Sequence, residues 1–229
     1  AVDAESFDVS ANSAGSQLLA LGLTMFLAIL LGMGMPAVPA YINAALLMGP
    51  MLVGLGLATF TAHMFIFYFA VASAITPPVA LAAFAAASIT NADPMRTGFS
   101  AVKSGIVMFT IPFVFALYPE LLLITQAVID PATGTFLEGY DGRIDILWLA
   151  FLMARLALAL YLVSSAMAAY DQRELGRAQI ALRVLLAVLV MAKPVEIYGA
   201  ASVVGIGLIA AHVVTSRRII AAGEERRQA

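Results

Sequence analysis

Long apolar segments make up most of this chain, and short charged segments separate them. A helix needs about 20 apolar residues to cross the hydrocarbon core of a bilayer. The pattern therefore predicts membrane-inserted segments at 17–31, 40–60, 62–89, 104–127, 146–169, 181–191 and 195–214. The segment 181–191 is short, and it should form a tight pair with the last one, turning at Pro194.

Helix breakers interrupt the apolar sequence at two places, 32–39 and 73–78. An unsatisfied backbone group costs several kcal/mol in hydrocarbon, so irregular backbone persists there only when it is buried in protein or lines a polar cavity. Two such breaks close together are typical of the substrate and ion site of a secondary transporter.

The second break carries the more specific chemistry. Pro77 and Pro78 lack N–H groups and push the residues before them out of the helical region, which predicts extended Ile75 and Thr76. One half-helix would then present carbonyls to a sodium ion, and the other its N-terminus to a carboxylate. The hydroxyls of Ser73 and Thr76 are candidate sodium ligands, because small cations prefer hard oxygen ligands. The alternative is a proline kink in an ordinary span.

The first break is rich in glycine and proline. Gly32 and Gly34 permit close backbone approach, and Pro36 can start a helix. Such a tip would offer backbone N–H and carbonyl groups to a substrate or ion. A loop between two spans, or small-residue helix packing, explains the same residues equally well.

Composition narrows the function. The chain has 229 residues, of which 62% are hydrophobic and 11% charged, whereas soluble domains carry roughly 25% charged residues. The net charge of −2 suggests no nucleic-acid partner, and the absence of cysteine excludes thiolate chemistry. No Ser/His/Asp constellation, phosphate-binding loop or paired carboxylate lies at membrane depth. We therefore expect neither an enzyme nor a cofactor other than a coupling ion.

Basic residues set the expected orientation, because cytoplasmic loops carry an excess of Lys and Arg. The segments around Arg96, around Arg177 and in the tail 217–227 should be cytoplasmic, and the acidic segment 130–145 should lie outside. Residues 17–56 must then enter the membrane and come out again on the same side. Charge alone does not decide between two full spans and a re-entrant hairpin.

Three other polar residues have structural interpretations. His63, in an aromatic stretch, is expected to be packed rather than to ligate an ion. Arg155 lies inside a predicted span, where it could pair with Glu196 or Asp145, or snorkel. Asp93 should cap the helix that follows it.

Several stretches resemble the large membrane subunit of TRAP transporters, the tripartite ATP-independent periplasmic transporters. The resemblance runs through 27–42, 63–69, 73–82 and 93–98, and it extends to about Leu122, roughly half of the chain. The sequence Ile-Thr-Pro-Pro at 75–78 matches the family residue for residue. The chain is similar in particular to DctM-like permeases of the fused kind that work with TAXI-type binding proteins.

The resemblance implies an all-α integral membrane fold, the second half of an inverted-repeat transporter. It favours a re-entrant helical hairpin with its tip at 32–39 and a broken transmembrane helix at 62–89. The expected organisation is an exposed N-terminal segment at 1–16, a transport-domain half at 17–127, and additional C-terminal helices with a cytoplasmic tail at 128–229. The acidic start, with no initiator Met, would be that of a fragment whose first repeat lies upstream.

The resemblance also implies a function. A family member in the bacterial inner membrane would use sodium to take up an organic anion, often a carboxylate, delivered by a periplasmic TAXI-type binding protein. A small membrane subunit, or its fused equivalent, would be a further partner. The expected site residues are Ser73, Thr76, Pro77, Pro78, Gly32, Gly34 and Pro36. The chain departs from the family at Ala37 and Val38, where threonines are usual, so contacts at the tip would come from backbone.

Two other functions remain open. A non-transporting membrane scaffold or assembly subunit would use the prolines as structural kinks. A channel is less favoured, because no charged ring or filter-like repeat is visible.

Overall fold

A computed structural model describes residues 14–124, 126–129, 136–139, 145–171 and 173–228 of the chain. Most of these residues are helical. The described α-helices are α1 Ala14–Gly32, α2 Ala37–Gly54, α3 Thr59–Ala72, α4 Leu81–Thr90, α5 Pro94–Ser104, α6 Ile106–Leu117, α7 Ile146–Ala168, α8 Arg177–Val190 and α9 Val195–Gln228.

Short elements of other kinds connect these helices. Single 3-10 turns form at Ser73–Ile75 and Pro119–Leu122. Two antiparallel hairpins, which the sequence did not predict, pair β1 Gln126–Ile129 with β2 Phe136–Gly139, and β3 Tyr170–Asp171 with β4 Arg173–Glu174. The predicted outside loop 130–145 and the N-terminal segment 1–16 lie largely outside the described residues.

The predicted helical membrane fold is confirmed. Helices α2, α7 and the Val195–Thr215 part of α9 are each long and apolar enough to cross a bilayer. Helix α9 continues through Gln228, so the basic tail is an extension of the last predicted span.

The described residues divide into two compact units, one within Ala1–Val102 and Ile111–Ile144, the other within Lys103–Thr110 and Asp145–Ala229. In the first unit α1, α2 and α3 pack against one another. Ala28, Ala40 and Ala44 are fully buried there. Small side chains let membrane helices approach closely, which explains the alanine-rich seam.

Aromatic rings join α6 to α3 in the same unit. The ring centroids of Phe65 and Phe69 lie 5.3 and 5.8 Å from that of Phe113, with edge-to-face geometry. Such pairs contribute about 0.5–1.5 kcal/mol each beyond their buried area. This cluster holds α3 in place immediately before its break.

The prediction of one clean span at 104–127 is wrong. Helix α6 ends at Leu117, and α5 and α6 form a pair bent by 43° around Gly105. Pro119 stops the helix, because the residue before a proline is disfavoured in the α region; Tyr118 has φ −134° and ψ 74°. The sequence remains apolar beyond Leu117, and for that reason the prediction extended the span to residue 127.

The second unit packs α7, α8 and α9 together. The predicted span 146–169 is confirmed by α7, and the predicted turn at Pro194 separates α8 from α9. Arg155 of α7 is buried inside this unit. Its Nη2 donates to the carbonyls of Val190 (2.7 Å) and Ala192 (3.0 Å) at the end of α8.

Candidate substrate and ion site

The tip of the α1–α2 hairpin lies against the break that follows α3. A Cβ built on Gly32 would stand 2.5 Å from Ser73 Oγ and 3.1 Å from the carbonyl oxygen of Ala70. Real Cβ atoms essentially never come within 3.0 Å of such an atom, so a side chain at position 32 would require a local shift. The structure therefore brings the two sequence breaks together, and it does so through a residue that has no side chain.

Both predicted ligand hydroxyls are hydrogen-bonded to the preceding helical turn. Ser73 Oγ donates to the carbonyl of Ala70 (2.6 Å), and Thr76 Oγ1 donates to the carbonyl of Ala72 (2.7 Å). Each hydroxyl has a single proton, so the oxygen keeps only lone pairs for a further partner. Ser73 is buried and Thr76 is partly exposed.

The backbone is irregular where the sequence predicts. Thr76 is extended, with φ −95° and ψ 120°, which confirms the prediction for that residue. Ile75 belongs to the 3-10 turn, so its predicted extended conformation is wrong. The steric effect of a proline acts on the residue directly before it, and Ile75 is two residues before Pro77. The carbonyl of Ala74 has no helical partner, because residue Pro78 lacks an N–H.

The hairpin tip also matches its predicted backbone character. Gly34 has φ +78°, a left-handed conformation that glycine adopts without strain. Pro36 is the N-cap residue of α2, and no side chain caps that helix. Ala37 and Val38 therefore begin α2 with backbone N–H groups that lack a side-chain partner.

At this site helix C-termini lie beside each other, and so do the segments that lead into helix N-termini. The contact of Gly32 with Ser73 brings the C-terminus of α1 to the end of α3. A Cβ on Gly34 would lie 3.9 Å from Val79 Cγ1, so the segment leading into α2 faces the segment leading into α4. Helix C-termini carry a partial negative charge and N-termini a partial positive charge. The site thus joins a region suited to a cation with a region suited to an anion.

Helix α5 contributes a contact that the sequence did not predict. A Cβ on Gly98 would lie 2.9 Å from Pro77 Cγ and 3.6 Å from the Cβ of Ala80. Gly98 is the buried residue of α5, which is an amphipathic helix. The feature of the sequence that could have indicated this contact is a glycine on the apolar side of an amphipathic helix.

Other polar side chains of this unit bond within the helices or to the hairpin tip. Tyr41 Oη and His63 Nδ1 are 2.9 Å apart, so His63 is a packed, hydrogen-bonded residue as expected. Asn43 Nδ2 lies 3.5 Å from the sulfur of Met35 at the tip. The hydroxyls of Thr24 and Thr61 are buried without a hydrogen-bond partner.

The donor groups near the breaks are neutral oxygens. Among the described residues no group of three or more His, Cys, Asp or Glu side chains could hold a metal ion. The oxygens near the breaks are hydroxyls and backbone carbonyls, which are neutral and hard. Such oxygens are ligands of the kind that hard cations prefer.

Comparison with protein families decides the class of protein. Residues 6–128 match the DctM component of the tripartite ATP-independent periplasmic transporters. The chain belongs to this family. Comparison with curated proteins and with solved structures gave no match.

Membership makes the chain a membrane permease component of a three-part transporter. The family match contains both breaks and α5, so Gly32, Ser73 and Gly98 all lie in the part that the DctM family shares. Helices α7, α8 and α9 lie beyond the matched residues. The candidate site lies in the first compact unit.

Proposed function

We propose that the chain carries half of the substrate pathway of a sodium-coupled TRAP permease that takes up an organic anion, a carboxylate. The grouping of helix ends at the two breaks supports this proposal: the C-termini of α1 and α3 lie together, and so do the segments that lead into α2 and α4. A region of partial negative charge beside one of partial positive charge is suited to the joint binding of a cation and an anion.

Sodium would bind beside Ser73 and Thr76. Both hydroxyl protons are already donated to helix carbonyls, so each oxygen presents lone pairs. The carbonyl of Ala74, which has no helical donor, is a third oxygen in the same turn. Carbonyl and hydroxyl oxygens of an unwound segment are the ligands that broken helices offer to sodium.

The substrate carboxylate would bind at the starts of α2 and α4. Helix N-termini bind anions through free N–H groups and the helix dipole. Because Ala37 and Val38 have no polar side chains, recognition at the tip would rest on the backbone. Specificity for one carboxylate would then come largely from other parts of the transporter.

The re-entrant hairpin and the broken helix would move together past a fixed scaffold, in an elevator or rocking motion. A periplasmic TAXI-type binding protein would deliver the substrate, and a small membrane subunit or its fused equivalent would complete the assembly. In an inverted-repeat permease, a second repeat would supply the other half of the site. In this arrangement the permease lies in the bacterial inner membrane with a cytoplasmic C-terminus.

Substitution of Thr76 in the complete transporter tests the sodium site. In proteoliposomes, Thr76→Ala should weaken the dependence of uptake on sodium by about tenfold, while Thr76→Ser should retain it, because one oxygen ligand is lost only in the first variant. Thr90→Ala is the matched control, since Thr90 Oγ1 also donates to the carbonyl four residues earlier, that of Ala86. Unchanged sodium dependence in Thr76→Ala would contradict the proposed site.

A further inference from the structure

Helix α5 differs in chemical character from the helices on either side of it. Helices α4 and α6 are mostly apolar, whereas α5 is amphipathic. Because apolar helices partition into hydrocarbon, the chain has to leave the hydrocarbon after α4 and enter it again at α6. Helix α5 is bent away from α6 by 43° and does not extend it as a straight span. It therefore lies near the boundary between the bilayer and water.

The side chains of α5 are sorted by polarity around the helix axis. At about 100° per residue, Met95, Phe99 and Val102 fall within about 60° of one another and form an apolar stripe. Met95 is 41% exposed and Phe99 is 56% exposed. Arg96 and Lys103 are seven residues apart in the same helix, so they share one side of it, and both are exposed. The two cations thus border the apolar stripe.

The remaining sides of α5 face protein and solvent. On the side of the stripe away from the cations, Gly98 lies against the proline break, where a Cβ would stand 2.9 Å from Pro77 Cγ. Beyond the cations, Ser100 is exposed. The order around the helix is therefore protein, apolar stripe, cations and hydroxyl. An amphipathic helix in a membrane interface has the same order, with its apolar face about 5–10 Å into the boundary between headgroups and acyl chains.

We propose that α5 lies in the plane of a phospholipid surface, with the apolar stripe against acyl chains and with Arg96 and Lys103 beside lipid phosphates. Long cationic side chains lay their stems along apolar surface and place their charges in the headgroup layer. No salt bridge within the described residues engages Arg96 or Lys103. Asp93, the nearest acid in the sequence, caps the helix by accepting from the backbone N–H of Arg96 (2.7 Å).

The apolar surface does not begin at α5, which favours lipid over a protein partner. Ile89, in the last turn of α4, is 83% exposed. A bilayer accounts for the exposed apolar side chains of both helices, whereas a protein partner would have to cover each of them. The contact of Gly98 with Pro77 then gives the surface a consequence. Lipid that holds α5 at one depth also holds the proline break at a fixed depth.

Fluorescence quenching in the complete permease chain, reconstituted in vesicles of phosphatidylcholine and phosphatidylglycerol, tests the proposal. A Trp148→Phe background removes the single native Trp. In that background Phe99→Trp places a fluorophore on the apolar stripe, and Ser100→Trp places one on the solvent side as the matched control. Each variant is measured with lipids that carry bromine near the headgroup or in the middle of the acyl chain, and with acrylamide in water. Circular dichroism verifies that each variant is folded.

The Phe99→Trp fluorophore should be quenched about twofold more strongly by the shallow bromines than by the deep ones, because an interfacial helix inserts only about 5–10 Å. The Ser100→Trp fluorophore should be quenched mainly by acrylamide. Stronger quenching of Phe99→Trp by the deep bromines would mean that α5 crosses the bilayer. Absence of bromine quenching would mean that protein or water covers the stripe. Either result would overturn the proposal.

The role of the two cations is tested in the same vesicles. Combining Arg96→Gln with Lys103→Gln should reduce the shallow quenching of Phe99→Trp by about twofold, because each cation near an anionic lipid surface contributes to its binding. Arg177→Gln, at an exposed arginine of the second unit, should leave the quenching unchanged. Equal quenching in the double variant and in this control would overturn the assignment of lipid phosphates to the two cations. These measurements require neither sodium nor a carboxylate, so their outcome is independent of the proposed transport function.

Discussion

Gly32 and Ser73 lie so close together that a single methyl group on Gly32 would stand 2.5 Å from the Ser73 hydroxyl oxygen. One residue ends α1 and the other begins the turn after α3. Their contact is the point at which two breaks that are 41 residues apart in the chain become one site. The absence of a Cβ at Gly32 is thus a requirement of the tertiary structure.

Gly32→Ala should therefore reduce transport strongly. The added methyl group would meet buried Ser73 and the Ala70 carbonyl, and neither can move without disturbing the helix break. Overpacking of this kind destabilises by about 1–3 kcal/mol. Uptake in proteoliposomes and thermal unfolding in detergent measure the two effects.

Gly22→Ala provides the matched control for that experiment, because the same helix has open space around Gly22. It should be neutral or slightly stabilising, since alanine is the better helix former. If Gly32→Ala and Gly22→Ala behaved alike, the close contact of the tip with Ser73 would be disproved.

Gly98→Ala tests the contact between α5 and the proline break. The new methyl group would lie 2.9 Å from the Pro77 ring, which has little freedom to move. We expect the break to shift, uptake to fall, and the melting temperature to drop by an amount equivalent to about 1–3 kcal/mol. Gly199→Ala, which has nothing within 4 Å, should leave both measurements unchanged. Full activity of Gly98→Ala would show that α5 does not hold the break.

Arg155 should be needed for stability rather than for transport. Its guanidinium donates to the Val190 and Ala192 carbonyls and lies 3.8 Å from the centre of the Tyr198 ring. Arg155→Met removes these hydrogen bonds, which costs about 1–3 kcal/mol. Arg155→Lys should recover only part of this loss, because an ammonium group cannot reproduce the planar arrangement of N–H donors in a guanidinium group.

Thermal unfolding of the two Arg155 variants, with exposed Arg177→Lys as the control, measures the effect. The folded fraction should transport normally, since the contacts of Arg155 with Val190, Ala192 and Tyr198 join α7 to α8 and α9. A loss of transport at unchanged stability would instead point to a functional charge at this position.

Asp171 should make stability depend on acid pH. Burial raises the pKa of this carboxyl group, but hydrogen bonds from Arg183 and Tyr161 more than offset that effect and hold the pKa below its usual value of 3.8. The ionised carboxylate thus stabilises the folded state fully above the unfolded pKa. That contribution is lost as pH falls below about 4 towards the folded pKa. Acid titration of the melting temperature should show the loss, and Asp171→Asn should abolish it.

The same substitution removes the partner of a buried cation. Asp171→Asn should lower the free energy of unfolding by about 3–5 kcal/mol, because Arg183 remains buried without a counter-charge. The double variant Asp171→Asn/Arg183→Met should be more stable than Asp171→Asn alone. An additive double-mutant cycle would mean that the two residues do not interact.

The sequence predicted local features well where steric rules act on neighbouring residues. Pro77 and Pro78 dictate the break after α3 and the extended Thr76, and Asp93 caps α5 through the backbone N–H of Arg96, at 2.7 Å. The prediction from sequence was wrong at 104–127, where apolar composition continues although Pro119 ends the helix. Apolar composition indicates that a segment partitions into lipid, but it does not indicate where a helix ends.

By itself, then, the sequence determined a helical membrane chain with two breaks of defined backbone chemistry, because prolines, glycines and apolar runs act within a few residues. Only the tertiary structure decided that Gly32 meets Ser73, that Gly98 meets Pro77, and that Arg155 caps the end of α8. These contacts depend on how helices far apart in the chain pack against one another. That packing is governed by the complementary shapes of their surfaces, which no local pattern records.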